Sequence, residues 1–184
     1  RESRRARTFP QPAGAFRLSP AGERPVTARV EAALAVQGHA PDPAQRAVLT
    51  RLEDLRRRVL ARESLLARSL RLLPRAASPL RGLYLWGGVG RGKSFLVEAF
   101  FADLPLREKR REHFHRFMLD VHARLRAHRD RPSPLEGVAD DIAPVARILC
   151  IDEFVVGDVA DAMILGTLLE ALFRRGVTLV ATSN

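Results

Sequence analysis

"GLYLWGGVGRGKSFLVEAFF", residues 82–101, decides how the rest of the chain is read. Five residues of strand character, Gly82 to Trp86, run into a glycine-rich turn, and an apolar stretch of helical spacing follows from Ser94. Gly87, Gly92, Lys93 and Ser94 match the pattern GxxxxGK[ST]. The glycines let the backbone curl until successive N–H groups converge on phosphate oxygens, Lys93 brings a mobile positive charge to them, and the Ser94 hydroxyl is placed for Mg2+. Because Ser94 also opens the next helix, the positive end of that helix faces the same phosphates. At ordinary residue frequencies a random chain of this length contains the pattern about once in a hundred tries. Here one of only two lysines falls on the required position. The stretch is therefore read as a cradle for the phosphates of ATP formed by Gly87, Gly88, Val89, Gly90, Arg91, Gly92, Lys93 and Ser94.

Downstream, short apolar strands alternate with helices. "EHFHRFML" (112–119) looks extended at first and runs into the helix "LDVHARLRAH", and a loop rich in Pro, Asp and Gly covers 130–144. A strand "RILCIDE" (147–153), a helix "DAMILGTLLEALFRR" (161–175) and a last strand "VTLVATSN" (177–184) complete the chain. This alternation predicts an α/β fold, a parallel sheet with helices on both faces. In such sheets ligands bind at the carboxyl ends of the strands. Asp152 and Glu153 stand there, after four residues of buried-strand character. Asp152 is expected to hold Mg2+ through its water shell, and Glu153 to polarise the attacking water as general base. Asn184, at the tip of the last strand, is a candidate contact to the terminal phosphate or the water.

Other chemistry is weaker. His113 and His115 would share one face only if "HFHRF" is a strand, and with His122 they lack a further metal ligand. Cys150, the single cysteine, sits in an apolar run and reads as core. "REKRRE" (107–112) is basic but diluted by Glu108 and Glu112, and reads as a solvated loop rather than a nucleic-acid patch.

Upstream, "HAPDPAQ" is a helix start: Asp42 caps, Pro43 takes the first helical position, and Gln45 lies where its amide reaches back to the cap. Val48, Leu52, Leu55, Val59, Leu66 and Leu70 then mark one long amphipathic helix ending near Pro74, with Arg56, Arg57, Arg58 and Arg62 read as solvated charge on its outer face. Residues 1–25 mix Arg, Pro, Gly and Ala without apolar periodicity and read as a basic arm. The expected organisation is this arm, a helical segment over 26–79 and a partial ATPase core over 80–184.

Apolar residues make up 46% and charged residues 28%, a composition that excludes a disordered chain. No apolar run reaches the roughly 18 residues of a membrane span, and one cysteine allows no intrachain disulfide. The net charge of +10 comes almost wholly from arginine. It fits either an anionic partner or the Arg- and Ala-rich coding of a GC-rich genome.

Together "GLYLWGGVGRGKSFLVEAFF", "HFHRFMLDVHARL", "PDPAQRAVLTRL" and "ILCIDEFVVGDVADAMILGTLLEALFRRGVTLVATSN" resemble the ZapE-type ATPases of bacterial cell division and their mitochondrial relatives, a branch of the AAA+ P-loop ATPases. The resemblance covers roughly residues 25–184. It implies ATP at Gly87–Ser94, Mg2+ near Ser94 and Asp152, water handling by Asp152 and Glu153, and a sensor role for Asn184. Oligomer-dependent hydrolysis is also implied, directed at a protein partner such as an FtsZ-like division polymer in the bacterial cytoplasm, or at quality control in the mitochondrial matrix. The arginine finger, a final core strand and a helical lid are expected beyond Asn184, and without them turnover is expected to be weak. Two other readings stand beside this one: a nucleotide-gated adaptor with little turnover, and a helicase-loader-type ATPase acting on DNA.

Overall fold

The computed structural model describes residues 25–36, 40–69 and 80–184. Two helices lead, α1 (Val26–Val36) and α2 (Pro43–Ser69). The order then runs β1 (Leu83–Trp86), α3 (Lys93–Asp103), β2 (Lys109–His113), α4 (Phe114–Ala127), α5 (Pro134–Ile142), β3 (Ile148–Asp152), α6 (Val159–Arg174) and β4 (Thr178–Ser183). The four strands form one parallel sheet in the order β1-β4-β3-β2. This is the expected α/β class. Parallel neighbours require crossovers, and each of these is helical.

Period-two alternation in β3 divides the core. Leu149 and Ile151 pack with α4, α5 and α6, whereas Ile148 and Cys150 pack with α1, α2 and α3 on the opposite face. Phe117 anchors the first cluster and Phe100 the second, both fully buried. Truncating either to alanine costs about 3–5 kcal/mol. Burial pushes the Cys150 thiol up to about 12, so it stays protonated and serves as core.

Local chemistry sets the element ends. The Asp42 carboxylate accepts from the Gln45 N–H at 2.8 Å, and the Gln45 side-chain oxygen accepts from the Asp42 N–H at 3.1 Å, a reciprocal cap as expected. Asp158 caps α6 by accepting from the Ala160 N–H. At the other end Gly176, with φ 82°, lets its own N–H reach the Phe173 carbonyl and the Val177 N–H reach that of Leu172. Gly82 has a different reason to be glycine: a Cβ there would lie 1.9 Å from the Leu179 carbonyl oxygen of β4.

Three expectations need correction. The segment read as a solvated loop supplies β2, an edge strand of sequence KRREH whose first four residues are half-buried and make side-chain contacts to the protein. Lys109 and Arg111 point toward α3, and Arg110 pairs with Asp120 of α4 on the other face. The loop at 130–144 contains α5, begun by Pro134 and short enough that its small residues masked the helical pattern. His113 ends β2 while His115 already lies on α4, so the two do not share a strand face. Arg56 is only 7% exposed and pairs with Asp103 at 2.6 Å, because α3 packs over the face of α2 that the arginines were expected to leave to solvent. The helix α1 was not resolved as a separate element by the sequence pattern. Residues 1–24, Leu70 and Pro74, on which the arm and the helix end were expected, lie outside the described residues.

Candidate functional site

The loop 87–92 joins the tip of β1 to the start of α3, at the carboxyl ends of the strands. Gly87, Gly90 and Gly92 have φ of 147°, 78° and 77°, values that a side chain at these positions would strain. Gly92 is the N-cap of α3 and provides no side-chain cap, so the first N–H groups of the helix face the loop unclaimed by a capping side chain. Lys93 folds its ammonium into the loop and donates to the Gly87 carbonyl at 2.6 Å and the Gly88 carbonyl at 2.8 Å. Val89 and Arg91 are exposed on the outer rim, and so is Ser94, one residue into the helix.

Asp152 ends β3 and is 3% exposed. A buried carboxylate needs partners. Arg111 supplies one, its Nη2 lying 2.7 Å from Asp152 Oδ2, and the same nitrogen donates to the Ser94 carbonyl at 3.4 Å. Thr182 of β4 supplies the other, donating its hydroxyl to Asp152 Oδ1 at 3.3 Å. One guanidinium thus ties the phosphate-loop helix to the acidic strand tip.

Thr182 also shapes the next residue. Its hydroxyl oxygen accepts from the Glu153 N–H at 3.2 Å and its carbonyl accepts from the Phe154 N–H at 2.7 Å. Glu153 holds a left-handed φ of 55°, which costs a residue bearing a side chain about 1–2 kcal/mol. The two bonds from β4 hold it there. Phe154 is wedged between Tyr84 and Phe114, at centroid distances of 6.3 and 5.1 Å, and fixes the turn from its far side. The Glu153 carboxylate is consequently turned outward, exposed, with His113 Nδ1 3.8 Å from its Oε2.

The loop Gly87–Ser94, Asp152 and Glu153, singled out in the sequence, therefore all lie at the carboxyl end of the sheet, the loop after β1 and the acidic pair after β3. Asn184 stands at the tip of β4, exposed, and among the described residues no hydrogen bond or ion pair joins its side chain to the acidic pair. Two residues escaped the sequence reading. Arg111 was hidden in the run taken for a solvated loop, and Thr182 in "ATSN" was passed over for its neighbour. A polar residue two positions before the end of a buried strand was the available signal for Thr182; Arg111 had none of its own.

The Ser94 hydroxyl and the Asp152 carboxylate are oxygen donors, the class that Mg2+ prefers, and one Arg111 nitrogen reaches both the Ser94 main-chain carbonyl and the Asp152 carboxylate, so the two residues are near each other through the backbone of Ser94. The donor set fits the ion.

Comparison with known proteins agrees with this architecture. The family model described as AFG1-like ATPase matches residues 25–184. The cell division protein ZapE of Escherichia coli K12 is 45% identical over 157 residues, covering 79% of this chain and 42% of that protein. Lactation elevated protein 1 homolog B of Danio rerio is 44% identical over 119 residues, 58% of this chain and 23% of that one. The chain spans less than half the length of these relatives. Among solved structures, AMPPCP-bound DnaA from Aquifex aeolicus aligns with a TM-score of 0.50 at 14% identity, covering 81% of this chain and 41% of that one, a likeness of fold. With a family match that spans every described residue, the chain belongs to the AFG1-like ATPase family.

Proposed function

We propose that the chain carries the nucleotide site of an ATPase that binds ATP with Mg2+ and couples hydrolysis to the remodelling of a protein partner. The observation that carries this reading is the pairing of a glycine loop in left-handed geometry, closed by Lys93, with a buried Asp152 and an outward Glu153 at the tip of β3, one strand removed from β1 across β4. Gly87–Gly92 and the start of α3 present backbone donors to the phosphates, and Lys93 exchanges its loop carbonyls for phosphate oxygens. Ser94 and Asp152 would hold Mg2+, which would supply positive charge against the negative charge on the transferred phosphoryl group. Glu153 accepts a proton from the attacking water, and Asn184 orients that water or the terminal phosphate. Arg111 and Thr182 act at one remove by fixing Asp152 and Glu153.

For the partner, the division-protein relative favours a protein such as an FtsZ-like polymer, reached by an oligomer of the whole protein in the bacterial cytoplasm; the mitochondrial matrix is the alternative. No helix among the described residues is long and apolar enough to cross a membrane. Among the described residues Arg56 pairs with Asp103, Arg111 with Asp152, and Arg175 with Glu136 and Asp140, so these arginines serve the fold.

Titration calorimetry of Mg-ATP beside the Lys93→Ala variant tests the cradle: binding by the parent chain and about 30- to 150-fold weaker binding by the variant are expected, the loss of about 2–3 kcal/mol for charge-assisted bonds. Equal heats in the two would remove the reading. Glu153→Gln in the whole protein separates an ATPase from a nucleotide-gated adaptor. A fall in turnover of about 10²–10⁴ with loss of partner remodelling is expected, whereas retained remodelling would favour the adaptor.

A further inference from the structure

The N-terminal helices do more than cover the sheet. They hold both ends of the phosphate-loop helix. At its C-terminal end Asp103 of α3, buried, receives Arg29 of α1 and Arg56 of α2. At its N-terminal end the Gln45 side chain of α2 donates from Nε2 to the carbonyl of Arg91, inside the glycine loop, at 3.2 Å. The approach is close enough that a Cβ on Gly92 would sit 3.1 Å from that nitrogen.

Both halves of the Gln45 amide are engaged. Its oxygen is held by the Asp42 N–H in the helix cap, which leaves the NH2 group to face the loop and no freedom to flip. The consequence lies on the other side of the contacted peptide unit. In a trans peptide the carbonyl and the following N–H point in opposite directions, so drawing the Arg91 carbonyl outward to α2 turns the Gly92 N–H toward the inside of the loop. That N–H is one of the donors a phosphate would need, and Gly92, with no side chain and a φ of 77°, adds little of its own to fix its direction.

We infer that Gln45 is a positioning residue of the phosphate cradle, and that α1 and α2 form a clamp through which the N-terminal helices set nucleotide affinity. This rests on the cradle reading given above. Position 45 makes the idea separable from simple stability, because glutamate serves a helix cap as well as glutamine does but offers no N–H. Gln45→Glu keeps the cap and sets a carboxylate against the Arg91 carbonyl. Gln45→Ala loses both contacts.

The test measures Mg-ATP affinity and thermal midpoint together for the intact protein and its Gln45→Glu, Gln45→Ala and Lys93→Ala variants. The expected result is a Gln45→Glu protein that melts close to the parent yet binds about tenfold more weakly, and a Gln45→Ala protein that binds similarly weakly and also melts several degrees lower. Binding by Gln45→Glu within twofold of the parent, with Lys93→Ala defective, would overturn the clamp and leave the cradle standing. Affinity that falls only in step with the melting point would reduce Gln45 to a structural cap and overturn it as well. No binding by the parent would remove both.

Discussion

The only two lysines of the chain serve opposite ends of one helix. Lys93 opens α3 and donates to two carbonyls of the glycine loop; Lys109, at the start of β2, reaches back to the other end and donates to the carbonyls of Phe101 at 2.5 Å and Leu104 at 2.7 Å. The two contacts look alike and have different meanings. At the C-terminus a cation beside the last carbonyls completes the helix electrostatically and is its permanent partner. At the N-terminus the favoured charge is negative, so a lysine bound to loop carbonyls there is, on the proposed function, a donor that an anion would take over. Burial lowers the Lys109 pKa, with the nearby Cys150 and Asp103 opposing the shift, and its ammonium lies 4.7 Å from the Phe101 ring centroid. One end of α3 is built for stability and the other for exchange.

The contrast breaks most sharply at Asp103. Asp103→Ala strands Arg29 and Arg56, whose side chains are 14% and 9% exposed, and a loss of about 3–5 kcal/mol in chemical denaturation is expected. Lys93→Ala, which is expected to remove most of the nucleotide affinity, should shift the same denaturation curve by less than about 0.5 kcal/mol. Lys109→Met is the converse, keeping the apolar stem while leaving two carbonyls without their donor. It should cost about 1–2 kcal/mol of stability and leave calorimetric Mg-ATP affinity within twofold of the parent.

A smaller effect distinguishes the two faces of the sheet by pH. On the α4–α5–α6 face burial would raise the Asp120 carboxyl, but bonds from Arg110 and Arg124 hold it below its ordinary 3.8. Arg175 lowers Glu136 and His128 lowers Asp141. A carboxyl with a depressed folded pKa adds stability that is present above its unfolded value and lost as pH falls through the folded one. Thermal melts should therefore hold steady from neutrality to about pH 5 and then decline toward pH 3 through these groups. Arg110→Met should flatten the part of the decline due to Asp120.

What could be seen in advance depended on whether the signal was local. The glycine loop, the reciprocal cap of Asp42 and Gln45, the helix at Val159–Arg174 and the buried run Ile148–Ile151 each carry their pattern within a few residues, and each lies where the pattern put it. β2 does not. Its side chains find their partners on α3, α4 and β3, so a strand with no apolar alternation looked like a loop. Gln45 was legible as a cap and illegible as a contact to Arg91, 46 residues away.

By itself the sequence determined the parallel α/β class, the position of the glycine loop and the acidic pair at a strand tip, because φ preferences, helical periodicity and strand alternation act between near neighbours. Only the tertiary structure decided that Arg111 and Thr182 orient Asp152 and Glu153, that Arg56 is buried against Asp103, and that α2 reaches the glycine loop. Those assignments rest on which distant segments the burial of two apolar clusters brings into contact, and no local pattern encodes that pairing.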